Sequence, residues 1–225
     1  MAARVAPSAT VDYQRLEAAY RRSLRHADEA RRLYTQLQRS VSRSLLGLAA
    51  ALDTRDVFSR GHSDRVAALS RRIAQHRGLD PDAVAVIEQA ALLHDVGTIA
   101  VPERTLRKTG ALDETEWEQM RRHSIAGAQI VAPFEFFADV APVIRHHHER
   151  WDGSGYPDGL AGQSIPLGAR IVAVADVYDA LLSPRPYRRA LTRHEALGCL
   201  AIAAGRTLDA TLVAELPRAL AGVAC

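Results

Sequence analysis

The chain has 225 residues, 48% apolar and 24% charged, a balance that excludes a disordered polyelectrolyte and allows a globular core, one domain plus an appendage by length. Its net charge of +3 is uneven: residues 1–45 hold nine arginines and four acids, +5, which leaves the remainder near −2, so the basicity belongs to a solvated helical arm and not to a DNA-binding stripe. No run reaches the ~18 consecutive apolar residues of a membrane span, no secretion signal opens the chain, and Cys199 and Cys225 make neither a disulfide framework nor a zinc cluster, which together read as a cytoplasmic chain.

Residues 1–10, with Pro7, Ser8 and Thr10, read as a loose end. From Asp12 to Leu52 there is no proline, and Tyr13, Leu16, Tyr20, Ala27, Ala30, Tyr34, Leu37, Val41 and Leu48 recur at the 3.5-residue period of a coiled coil, weakened by Ser23 and Ser44 on the seam. The expectation is an N-terminal helical arm over 1–48 that makes a homodimer, the alternative being an amphipathic helix packed on its own domain. The rest, 49–225, reads as a single domain. Val66, Leu69 and Ile73 share one face of a helix from Ser63 to Gly78. Pro81, capped by Asp80, opens an apolar helix that runs to His94. Asp113 and Glu116 have the capping-box spacing of a helix start. Ile125–Val131 and Val140–His148 are short helical segments, 152–168 is a glycine-rich loop, and Arg170–Leu182 and Thr192–Ala204 are apolar helices. Nothing alternates with period two, so the fold class is all-α.

Within these helices the polar residues fall in unusual places. His94-Asp95 ends an apolar helix, His146-His147-His148-Glu149 ends another, and Asp176 lies inside the run Ile171–Leu182 with Asp179 one turn later. A carboxylate in such a run is costly unless paired or metal-bound. Imidazole with carboxylate suits zinc, manganese or iron, and ligands from several helices are how a bundle holds a dinuclear centre. The competing reading is a set of buried hydrogen-bonded histidines, with His26, His76 and His194 on the surface.

Gly61-His62-Ser63, His94-Asp95-Val96-Gly97, His123, the run from His147 to Leu160 with Gly155-Tyr156-Pro157, then Ile165 to Ile171, Asp176 and Arg185-Pro186-Tyr187-Arg188 together resemble an HD-GYP domain over roughly residues 50–215. The resemblance implies an HD-superfamily helical bundle and a bacterial signalling phosphodiesterase that hydrolyses cyclic di-GMP to pGpG or GMP, by a metal-bridged hydroxide attacking phosphorus. It implies one metal on His62, His94, Asp95 and Asp176, and a second on Asp95, His123, His147 and His148. Some members hold a third metal through a glutamate where this chain has Phe58, so the expected cofactor is two divalent ions, iron or manganese. By motif, Arg185, Arg188 and Tyr156 bind substrate, the arginines through phosphate and Tyr156 by packing beside the site or touching a partner, and Asp95, Thr98 and Asp179 are catalytic.

Thr98 stands where the family usually has lysine. Its hydroxyl donates a hydrogen bond but supplies no charge. The loss is worth about 2–4 kcal/mol in the transition state, tens to several hundredfold in rate, and it leaves Asp179, the lysine's expected neighbour, without its partner. The implied outcomes are slow turnover, altered substrate choice or binding without turnover. The alternative to an enzyme is therefore a signalling module that keeps metal and nucleotide and acts through partner proteins. A weaker alternative is hydrolysis of another nucleotide.

Overall fold

Helix follows helix wherever the apolar residues keep a helical period. The computed structural model describes residues 9–54, 61–184 and 189–221. The expectations at Phe58, Arg185, Arg188 and Cys225 lie outside the described residues. The chain divides into two units, Met1–Ser44 and Leu45–Cys225. Helix α1, Ala9–Asp53, is 45 residues long and supplies the described part of the first unit. There Tyr13, Leu16, Tyr20, Leu24, Leu33, Tyr34 and Leu37 are all exposed.

In the second unit, α2 (His62–His76) and α3 (Pro81–Leu93) pack along each other. The start of α3 follows the sequence closely: Pro81 takes the first turn, and the Asp80 carboxylate accepts from the N–H groups of Asp82 and Ala83 at 3.1 and 2.9 Å. The stretch Pro81–Ala100 has the length and apolarity of a membrane span by composition. Within it α3 buries Val84, Ile87, Ala90, Ala91 and Leu93 in the core. A 3-10 turn at Val96–Ala100 and a short helix α4 (Glu103–Leu106) follow, neither of which the periodicity marks.

Helix α5, Glu114–Val131, opens with the expected reciprocal Asp113–Glu116 box and continues unbroken through Ile125–Val131, which the sequence pattern offers as a separate segment. Helix α6, Val140–His146, ends two residues before the expected His148, where the Glu149 N–H closes a turn on the His146 carbonyl at 2.9 Å. Helix α7, Leu167–Leu182, begins directly after Pro166, inside the stretch read as loop. Helices α8 (Arg193–Ala203) and α9 (Ala210–Ala219) complete the unit. For α9 the signals were the Asp209 cap and the spacing of Leu212, Val213, Leu216 and Ala219; Pro217 within the helix obscures them.

Helix α7 is the hub. Ile171, Val172, Ala173, Val174 and Ala175 are all buried, and α2, α3, α6, α8 and α9 pack around it. A helix with so continuous an apolar run buries most of its surface and belongs at the centre. No strand forms among the described residues, only an isolated bridge between Ala204 and Leu208.

Candidate metal centre

The ends of helices converge on one place. His62 is the first residue of α2, His94 caps the end of α3, Asp95 follows it, and His147 and His148 follow α6. His123 comes from the middle of α5, and Asp176 and Asp179 from α7. Gly97 permits the approach of the Asp95 turn to α5. A methyl group on it would stand 1.9 Å from the His123 carbonyl oxygen and 2.3 Å from the Gly127 nitrogen, so only glycine lets Asp95 reach the His123 imidazole.

Three histidines share one device. Nδ1 of His94, His123 and His147 lies 2.7 Å from the carbonyl of Ala91, Met120 and Ile144 respectively, each three residues back. A carbonyl only accepts, so Nδ1 carries the proton and the Nε2 lone pair is left to face the cluster. His62 is held by carboxylates instead: Nδ1 donates to Asp179 at 2.8 Å, and Nε2 lies 3.2 Å from Asp176. Asp179 is held in turn by Arg65, which donates from Nε at 2.6 Å and from Nη2 at 2.9 Å. His146 points elsewhere, bonding Pro142 and Asp158.

Two groups of atoms have the compactness of metal ligands: His62, His94 and Asp95, and Asp95, His123, His147 and His148, with the ligand atoms of each group within 4.8 Å of one another. Asp95 belongs to both. The His94 Nε2 is buried with no hydrogen-bond partner, 3.4 Å from Asp95. A buried nitrogen of that kind is costly unless something binds it, and a divalent cation fits it and the nitrogen–oxygen donor set around it. The described residues thus form a His/Asp cluster suited to metal.

Electrostatics divide the cluster. Burial alone would lower the His62 pKa, but hydrogen bonds to Asp176 and Asp179 outweigh it and raise it to about 10. Burial opposes the charge of His94 too, and Asp95 again outweighs it and raises the pKa. At the other end, burial and then the charge of neighbouring His148 hold His147 well below its usual value. Burial and then His123 push His148 down to about 3. Burial would raise Asp95, yet His94 first, then His123 and His147, keep it well below the carboxylate range. The neutral imidazoles of His147 and His148 are lone-pair donors.

The loop after α6 closes one side. Gly155 passes against the backbone, where an added methyl group would meet the Arg150 nitrogen at 2.3 Å. The buried Glu149 carboxylate accepts from the Asp158 N–H at 2.7 Å and so fixes the far end of the turn. Between them the Tyr156 ring lies 4.9 Å from that of His148 and 6.4 Å from that of His123. Burial raises the Tyr156 hydroxyl pKa, so it stays protonated.

The expected ligands His62, His94, Asp95, His123, His147, His148 and Asp176 therefore lie together, with Tyr156 beside them, while His26, His76 and His194 are exposed. Thr98 lies half-buried in the 3-10 turn after Asp95, its N–H donating to the Asp95 carbonyl at 2.9 Å. One expectation is corrected: Asp179 keeps a cationic partner, because Arg65 reaches it from α2. Arg65 was missed in the sequence, and the available signal was its position one turn after His62. Glu149 was noticed only as part of the histidine run.

The family model for the HD domain matches residues 47–212. A cyclic di-GMP phosphodiesterase response regulator, RpfG of Xanthomonas campestris pv. campestris, is 45% identical over 177 residues, 78% of this chain and 47% of that protein. A cyclic di-GMP phosphodiesterase of Thermotoga maritima is 43% identical over 147 residues, 63% of this chain and 39% of that protein. Among solved structures, Bd1817, an HDG"Y"P protein from Bdellovibrio bacteriovorus, aligns with TM-score 0.60 and 26% identity over 75% of this chain and 53% of that one. The chain thus spans less than half the length of the two curated relatives.

Proposed function

The chain belongs to the HD domain family, with motifs of the HD-GYP type, and from that premise we propose that it is a two-metal phosphodiesterase of cyclic di-GMP. The observation that carries this reading is the single carboxylate, Asp95, common to both ligand groups. One divalent ion, iron or manganese, would be held by His62, His94, Asp95 and Asp176, and the other by Asp95, His123, His147 and His148. When bound, the ions would supply an activated water and offset the phosphate charge.

The chain's own residues do the rest. Backbone carbonyls and Asp179 hold four imidazoles with Nε2 turned inward, so little reorganisation is needed. Arg185 and Arg188 match the fork geometry of phosphate oxygens, and Tyr156 borders the substrate. Thr98 offers a hydrogen bond without charge, which slows turnover. The products are pGpG or GMP.

The exposed apolar residues of α1, spaced at the coiled-coil period, pair with a second copy of the chain through the 1–48 arm. The cytoplasm is the compartment that suits a free, exposed Cys199.

The test is turnover of cyclic di-GMP by the full chain purified without oxygen, with metal quantified in the same sample. Product at two metals per chain is the expected result. Two bound metals with no product would replace the enzyme by a module that binds metal and nucleotide and signals through partners. The absence of bound metal would overturn the reading altogether.

A further inference from the structure

We propose that Trp117, Arg121 and Tyr156 form a shelf at the mouth of the metal centre that takes a nucleotide, with Arg121 in direct contact with the substrate. The proposal rests on the phosphodiesterase reading and adds a recognition element to it.

Trp117 and Arg121 are four residues apart on α5 and so share a face. The Arg121 guanidinium carbon lies 5.9 Å from the Trp117 ring centroid and 5.7 Å from that of Tyr156. Contact with two rings orients the planar guanidinium and leaves its N–H edge for other partners. Tyr156 in turn abuts His148 and His123, and Arg121 itself is two residues before His123. A row of flat groups therefore leads from the exposed Trp117 to the imidazoles of one ligand group.

Charge accounting points the same way. Near the cluster, Arg65 is committed to Asp179, Arg145 to Asp158 and Arg170 to Asp209, whereas Arg150, whose charge acts on His148 and Tyr156, and Arg121 have no such commitment among the described residues. No carboxylate among the described residues pairs with Arg121, although it is exposed beside a site built for a phosphodiester. Thr98 brings no cation of its own. A cyclic dinucleotide presents what the shelf lacks: a base with a face for the Trp117 ring, and phosphate oxygens for the Arg121 fork. Stacking of this kind tolerates any base, because each has a π-face, so the shelf contributes affinity for nucleotides as a class.

The test compares the metal-loaded full chain with Arg121→Ala and Trp117→Phe, both at exposed positions. Arg121→Ala is expected to raise the KM for cyclic di-GMP about tenfold, a larger factor than any fall in kcat. Tryptophan fluorescence is expected to be quenched by cyclic di-GMP in the unaltered chain, and the quenching to be lost in Trp117→Phe. An unchanged KM in Arg121→Ala, or quenching that survives Trp117→Phe, would overturn the shelf. If the unaltered chain hydrolyses nothing, the phosphodiesterase reading fails, and the fluorescence titration still decides the shelf, with the Arg121→Ala midpoint expected to rise by a similar factor.

Discussion

The two ends of the metal centre meet at Asp95 and solve the placement of a buried histidine in opposite ways. Around His62 the neighbours are carboxylates, Asp176 and Asp179, and the imidazole is held up to about 10. Around His148 the neighbours are imidazoles and an aromatic ring, and the pKa falls to about 3. The first end gathers negative charge and anchors it to Arg65. The second keeps His147 and His148 neutral, and backbone carbonyls orient His123 and His147. A single motif name covers both, yet the ligands are oriented by two means: a charged hydrogen-bond chain through Asp179 holds His62, whereas helix carbonyls hold His94 on that side and His123 and His147 on the other.

Removing what the two ends share has the largest expected effect. Asp95→Ala should empty both ligand groups and lower turnover by about 10³-fold, checked by metal analysis and product formation on one sample. Separating the ends comes next. His62→Ala and His148→Ala should each leave about one metal per chain and cost at least about a hundredfold in activity, since loss of a group behind a ligand already costs about 10–100-fold. Equal loss of both metals in either variant would mean that the two ends are not separable.

Thr98→Lys adds a cation to the turn that carries Asp95. Turnover should rise by tens to several hundredfold. No rise, with both metals bound, would show that the neutral side chain is not the limiting defect.

The smallest effects test the Arg65 anchor. Asp179→Asn should weaken the metal at the His62 end about 10–100-fold and spare the His148 end. Arg65→Ala, whose side chain is half exposed and therefore screened, should cost no more than about fivefold at the same end. Competitive chelation, read separately for the first and second ion released, resolves the two. An Arg65 effect as large as that of Asp179 would show that the arginine is more than an anchor.

Legibility followed the range of the interactions. The Asp80 and Asp113 caps, the apolar run of α7 and the helical period of α1 are local; α1 itself runs Ala9–Asp53, past both ends of the stretch that spacing marked. Helix α9 is obscured by Pro217 in its last turn, and the turn at Val96–Ala100 has no period to read. In the site, the motifs were legible as a set because residue type and order survive in one dimension. The Arg65–Asp179 pair, 114 residues apart, was not, and Asp179 was accordingly assigned a missing partner that it does not lack. The Arg121–Tyr156 contact, between α5 and the later loop, was unreadable for the same reason.

The sequence alone determined that this is a helical chain with histidines and aspartates at helix ends, because helix periods, caps and charge in apolar runs are local physics. Only the tertiary structure decided which nitrogen of each histidine faces inward, which carboxylate both ligand groups share and which arginine is committed to a carboxylate. Those depend on α2, α3, α5, α6 and α7 meeting at one point, and that meeting is set by packing around α7 and by the close approach that Gly97 allows.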